Sequence, residues 1–166
     1  NDLLMPSYPA SREICTIGGM IANNSGGEKT LAYGKTINYI KELKAVMADG
    51  HEYVLRPLTV GELGEKKKLQ TFEGEVYRKM HDFLEGNYDL IKSARPAVTK
   101  NSAGYNLWDV WDRHTFDLSK LFVGSQGTLG IITEAKIRLI KPKKHSKLLV
   151  IFLNDLRPLA QVIQTV

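Results

Sequence analysis

Two glycine-rich stretches carry the residues best suited to holding a small ligand. In the first, Gly18-Gly19 and Gly26-Gly27 flank Met20 to Ser25, with the polar run Asn23-Asn24-Ser25 between the pairs. The second, Gly124-Ser125-Gln126-Gly127-Thr128-Leu129-Gly130, runs straight into a strand-like segment. Glycine removes the side chains that would keep a phosphate at a distance, while successive backbone amides and Asn or Ser side chains offer donors to its oxygens. Neither stretch holds Gly-Lys-Ser or Gly-Lys-Thr, and neither has the three spaced glycines that open a helix in dinucleotide-binding loops. From the residues alone they are two backbone-rich cradles able to take a phosphorylated cofactor. Each, taken singly, reads equally well as a tight β-turn with no ligand.

The other candidates for chemistry are weaker. His51, His81, His114 and His145 are scattered without metal-ligand spacing and read as surface residues. Trp108 and Trp111 could stack on a ring, but their spacing fits the packing of an amphipathic turn. Asp109, Asp112 and Asp117 have no His or Glu in register and read as solvated loop carboxylates, so no metal site is expected.

These residues need elements to position them. Residues 1–15, broken by Pro6 and Pro9, read as extended or loop, and residues 16–34 hold five of the 14 glycines. The stretch 38–48 is expected to be a strand, turned by Asp49-Gly50 into a partner over 52–55. Phe72, Val76, Met80, Phe83 and Leu84 recur at helical spacing, which predicts a helix over 70–85 ended by Gly86-Asn87, with a shorter one over 87–93. Lys66, Lys67 and Lys68 read as a solvated approach to the longer helix. In residues 131–139, Ile131, Thr133, Ala135, Ile137 and Leu139 alternate with Ile132, Glu134, Lys136 and Arg138, which predicts a strand with the first set on one face. A basic connector over 142–147 leads to an expected buried strand over 147–153. Asn154 or Asp155 could then cap a helix starting near Leu156.

Composition sets the frame around these elements. A chain of 166 residues with 43% apolar and 25% charged side chains has the balance of a globular domain, not of a disordered or collagen-like one. The net charge of +5 is spread out, with dense spots only at residues 66–68 and 141–147, too little for nucleic-acid binding. A single cysteine, Cys15, excludes an internal disulfide and is compatible with a reducing compartment. No apolar run reaches the length of a membrane span, and no repeat of 20–50 residues marks a solenoid.

Arranged in order, TIGGMIANNSGG, AYGKTINYI with its ADG hairpin, KNSAGYNL and LFVGSQGTLGIITEAKIRL resemble the FAD-binding domain of the vanillyl-alcohol-oxidase (PCMH) type. Within it the FAD-linked 2-hydroxyacid dehydrogenases, which oxidise D-lactate, D-2-hydroxyglutarate or glycolate, are most similar. The resemblance covers most of residues 14–142 and implies an α+β fold, the second subdomain of such a domain, mostly antiparallel sheet with flanking helices. It implies FAD as cofactor. Thr16, Ile17, Gly18 and Gly19 would lie along the flavin and its diphosphate, and Asn23, Asn24, Ser25, Gly26 and Gly27 would form the next turn. Gly34 matches a supporting Tyr-Gly turn, and Gly127, Thr128, Gly130, Ile131 and Ile132 the second cradle, whose strand would offer backbone groups to the adenine edge. Lys100, Asn101, Gly104 and Tyr105 match a stretch that supports the pocket near the flavin end. Cys15 reads as a buried, inert thiol rather than a covalent flavin anchor.

This sequence departs from the family's pattern in two places. Gln126 replaces the usual Glu, and residues 108–117 look like extra length. The expected organisation is residues 1–142 as the C-terminal part of the FAD-binding domain, with a helical insert over about 60–94, and residues 143–166 as connector and first strand and helix of a substrate domain. A first subdomain would precede Asn1 and the substrate cap would follow Lys143. No residue of this stretch is assigned a catalytic role. The implied activity is oxidation of a 2-hydroxyacid to the 2-oxoacid, with electrons passing to a quinone, a cytochrome or a carrier protein. A cytoplasmic setting is expected, with peripheral membrane association of the longer protein as a variant. The alternative is a non-catalytic module binding a nucleotide or a partner on the same fold.

Overall fold

The computed structural model describes residues 2–98, 101–145 and 147–165. At its centre lies a three-stranded antiparallel sheet whose strands run in the order 52–55, 40–46 and 131–137. β1 (Ile40–Val46) is joined to β2 (Glu52–Leu55) through the Asp49-Gly50 turn, where Gly50 takes φ 80° and the His51 amide donates to Asp49 Oδ1 at 3.2 Å. β5 (Ile131–Ile137) pairs with the other edge of β1. The expected strand over 38–48 is shorter because its first residues form a 3-10 turn, Thr36–Asn38.

The alternation expected along β5 is broken. The register runs Lys44 to Glu134 and then Ala45 to Ile132, which leaves Thr133 as a bulge. Ile132, Ala135 and Ile137 therefore pack on the core, while Ile131 is 71% exposed. The opposite face is charged: Lys44 Nζ lies 2.7 Å from Glu134 and Lys136 Nζ 3.1 Å from Glu42.

A helical segment packs against this sheet. A short ribbon pairs β3 (Leu58–Thr59) with β4 (Thr115–Phe116). From it rises α3 (Val60–Lys68), followed by α4 (Phe72–Gly86) and α5 (Tyr88–Ser93). The residues read as a solvated approach, 66–68, are thus the last turn of a helix. Gly61 and Gly64 weaken its propensity, but Thr59 and Glu62 form a capping box at its start and Leu63 is buried. α4 matches the helix expected over 70–85 and buries Tyr77 and Leu84, while Phe83 stays exposed. Between these helices and the ribbon, Tyr77, Trp111 and Phe116 form an aromatic cluster, with ring centroids 5.7 Å apart for Tyr77–Phe116 and 5.9 Å for Trp111–Phe116. His81 joins it edge-on to Trp111 at 5.3 Å, so it is no surface residue: the turn of α4 that carries it faces the cluster. Asp117 is likewise buried, not solvated, because it accepts the amide and hydroxyl of Ser119 at the start of α6 (Ser119–Phe122).

α1 (Ile17–Ala22) lies against β5, α2 (Thr30–Tyr33) follows it in the chain, and Leu4 pairs with Ile140 beyond β5. Residues 147–153 form no strand; Leu148 and Phe152 are 89% and 91% exposed, and no neighbouring strand is there to take up their backbone groups among the described residues. α7 (Leu159–Thr165) begins three residues later than the cap at Asn154 or Asp155 would place it. Among the described residues no helix is long and apolar enough to cross a membrane.

Candidate functional site

The first glycine-rich stretch opens with a short helix, α1, before its turn. Thr16 is extended, and its Oγ1 accepts the Gly19 amide at 3.0 Å, so it caps α1 in spite of the glycine pair. The chain then turns back at Asn24, whose φ is 49°. The turn is held from inside. Asn24 Oδ1 accepts the Ile37 amide at 3.0 Å, the Ser25 amide donates to Met20 O at 2.9 Å, and Ser25 O accepts both the amide and the hydroxyl of Thr36. Asn24 and Ser25 are accordingly buried.

The second stretch closes onto the first. The amides of Gly124 and Gln126 donate to Ile21 O and Ala22 O, at 3.0 and 2.8 Å, and so take up two carbonyls at the end of α1. Because Gln126 acts through its backbone, the exchange of Glu for Gln does not alter this bond. Thr128 Oγ1 donates to Ser125 O at 2.6 Å. Gly130, at φ 153°, passes so near β1 that a Cβ there would stand 2.3 Å from Val46 O. β5 then runs beside α1, and a Cβ on Gly18 would lie 3.9 Å from Ile132 O. The structure thus brings the two cradles, separated by about a hundred residues, into one junction.

Within the junction the glycines divide by what surrounds them. At Gly26, Gly27, Gly34 and Gly130 an added Cβ would stand within 2.2–2.4 Å of the protein's own Thr30, Tyr8, Asn38 and Val46, so their smallness serves internal packing. At Gly127 it would meet nothing within 4 Å, at Gly18 only an ordinary contact, and at Gly19 only its own cap oxygen. Thr16, Ile17, Gly19, Asn23, Gly127, Thr128 and Ile131 are exposed, Gly18 and Ile132 half-buried. Residues 14–27 and 124–133 contain no Asp or Glu. Exposed backbone and hydroxyls from two stretches that carry no Asp or Glu of their own suit the phosphate oxygens of a nucleotide cofactor; the Glu52 carboxylate reaches only the far end of the second, at Thr133 (2.6 Å).

Cys15 is half-buried, not enclosed, because its neighbour Ile14 is 89% exposed and Ile17 50%. Lys100 lies outside the described residues. Asn101, Gly104 and Tyr105 form a loop over the junction, and Tyr105 Oη is 2.7 Å from Thr128 Oγ1. Lys35 was missed: it is 5% exposed, and its Nζ donates to Asn101 O at 2.9 Å and to Ser102 Oγ. Nothing in the sequence marks a lysine after a turn glycine as buried. A cleft of about 190 Å³ opens beside it, lined among others by Asn24, Asn38, Arg95, Asn106 and Trp108.

Residues 1–56 match the family described as FAD binding domain. The chain is 33% identical over 124 residues to D-2-hydroxyglutarate dehydrogenase of Pantoea ananatis, covering 74% of this chain and 12% of that protein. It is 33% identical over 153 residues to glycolate oxidase subunit GlcD of Bacillus subtilis, 92% of this chain and 22% of the relative. To D-lactate dehydrogenase of Archaeoglobus fulgidus it is 32% identical over 149 residues, 90% of this chain and 22% of the relative. The chain therefore spans less than a quarter of the length of each of these relatives.

Proposed function

Because this chain belongs to the FAD-binding-domain family over residues 1–56, we propose that the glycine junction is one wall of an FAD site in an enzyme that oxidises a 2-hydroxyacid to its 2-oxoacid. The observation that carries this reading is the closure of the two glycine-rich stretches, neither of which contains an Asp or Glu, by the Gly124–Ile21 and Gln126–Ala22 bonds. Thr16, Ile17, Gly18, Gly19 and Asn23 on one side, and Gly127, Thr128, Ile131 and Ile132 on the other, would hold the cofactor through backbone groups and hydroxyls. Asn24, Ser25, Gly26, Gly27, Gly34 and Gly130 keep that wall in shape from behind. Bound there, FAD supplies the acceptor for the hydride, and the protein's part is to bind and orient it.

Residues 1–142 are then the C-terminal part of the FAD-binding domain with the helical segment over about 60–94 as an insert, and residues 143–166 the connector and start of a substrate domain. The relatives' names support lactate, glycolate or 2-hydroxyglutarate as substrate class; the electrons would then pass to a quinone, a cytochrome or a carrier protein. The test is purification of the full-length protein. A yellow protein whose flavin bleaches on addition of a D-2-hydroxyacid is the expected result; a colourless protein that neither takes up FAD nor turns over hydroxyacids would sink the reading.

A further inference from the structure

We propose that Lys35 and Tyr105 are positioning residues: together they strap the Asn101–Asn106 loop across the glycine junction and fix the shape of the FAD wall, an inference that rests on the FAD reading above. Lys35 enters the fold directly after the α2-ending turn at Gly34 and is almost wholly buried. A buried ammonium is unfavourable unless its protons find acceptors. Asn101 O and Ser102 Oγ, more than sixty positions further along the chain, are acceptors it finds. Lysine and loop are therefore linked: the loop supplies two of the acceptors of the buried cation, and the cation anchors the loop.

The second tie is at the other end. Thr128 Oγ1 already donates its one proton to Ser125 O, so in the 2.7 Å contact the Tyr105 hydroxyl is the donor. The loop is thereby fixed to the second glycine-rich stretch, while Lys35 fixes it to the segment whose Thr36 is bonded to Ser25 in the first. Between the ties it turns at Gly104, with φ 68°, and the Asn101 side chain accepts the Ala103 amide at 3.0 Å, which keeps the turn closed. A small space of about 20 Å³ lies between this loop and Asn24 and Gly124, where the two stretches meet; an ideal Cβ on Gly124 would be 3.4 Å from that of Asn24. The loop is thus a lid on the seam of the junction, held by one charged and one neutral hydrogen-bonding side chain.

The test uses the full-length flavoprotein with Lys35→Met, Lys35→Arg, Tyr105→Phe and the Lys35→Met/Tyr105→Phe pair. FAD dissociation constants of the apoproteins, the flavin band shape of the holoproteins and denaturant unfolding of the apoproteins are measured. Lys35→Met is expected to weaken FAD about tenfold, Tyr105→Phe about threefold, and the pair no more than Lys35→Met alone, since both act through one loop. Lys35→Arg, which keeps the cation, is expected to restore affinity and band shape. Independent, additive losses, or lower apoprotein stability with unchanged affinity and band shape, overturn the proposal. If Lys35→Met does not fold, Tyr105→Phe, altered only at an exposed hydroxyl, carries the same comparison. If the wild-type protein takes up no FAD, the functional reading falls, and hydrogen exchange decides the strap: amides of residues 101–106 must lose protection in Lys35→Met, and unchanged protection refutes it.

Discussion

At the glycine junction the bonds run from backbone to backbone, from Gly124 and Gln126 to the end of α1 and from Thr36 to Ser25. In the helical segment the ties are side chains. Trp111 Nε1 donates to Glu85 at 2.7 Å, Arg113 pairs with the same carboxylate at 2.8 Å, Lys66 with Glu73 at 2.5 Å, and the aromatic cluster fills the space between. The difference teaches where a ligand can go. A wall built from main chain leaves bare glycines and exposed backbone on its outer face, whereas a wall built from interlocked side chains has spent its polar groups on itself.

The comparison breaks most visibly at Phe116, which is fully buried and the partner of Leu58 in the short ribbon. Phe116→Ala is expected to lower stability by about 3–5 kcal/mol in denaturant unfolding. FAD affinity of the fraction that remains folded should hold, and a proportionate loss of affinity would mean the two regions are one unit. Next in size is the contrast between two glycines of the same stretch. Gly130→Ala must place a methyl against Val46 O at a backbone angle that suits only glycine, and is expected to cost about 3 kcal/mol. Gly127→Ala, with open space around it but φ 79°, should cost about 1 kcal/mol and act mainly on FAD affinity. Equal stability losses at the two positions would remove the division between packing and ligand-facing glycines. Of the same size as Gly127→Ala is Thr16→Ala, which takes the cap from α1 and should cost about 1 kcal/mol. Far-ultraviolet circular dichroism with urea unfolding would read it.

What was legible in the sequence follows the same line. The hairpin at Asp49-Gly50 and α4 could be read because each has a local signature, and the two glycine stretches, which the family pattern sets side by side, do close on each other. Signals spread over distant residues could not. The face of β5 was misread because a bulge at Thr133 shifts the alternation by one, and a period-2 pattern has no means of showing an inserted residue. α3 was passed over because two glycines and three lysines hid a capping box that stood in plain order at Thr59 and Glu62. Lys35 carried no local mark of burial, since its acceptors lie in a loop that only the fold brings near. Residues 147–153 had the apolar run of a strand, but a strand also needs a neighbour.

Acid should separate the two regions by their ties. Glu62 is held down to about 2, first by the hydrogen bond from Arg56 at 2.7 Å and then by the Thr59 amide at 2.8 Å. Glu85, Glu75 and Asp82 also lie below the usual carboxylate range, through Trp111, Lys79 and His81 respectively. A carboxylate whose folded pKa is depressed contributes stability that is present above its ordinary value, near 4.5 for Glu62, and is lost as pH falls from there towards about 2. These groups cluster in α3 and α4, while the junction is closed by peptide bonds' own donors and acceptors, which do not titrate. Hydrogen exchange followed between pH 5 and pH 2, corrected for intrinsic rates, should therefore show the amides of α3 and α4 losing protection before those of Met20, Gly124 and Gln126. In Glu62→Gln the capping box keeps its acceptor but drops its charge, so the pH dependence of stability in that window should flatten while neutral-pH exchange at the junction stays the same. Exchange that begins at Gly124 and Gln126 instead would show that the backbone wall is the weaker of the two.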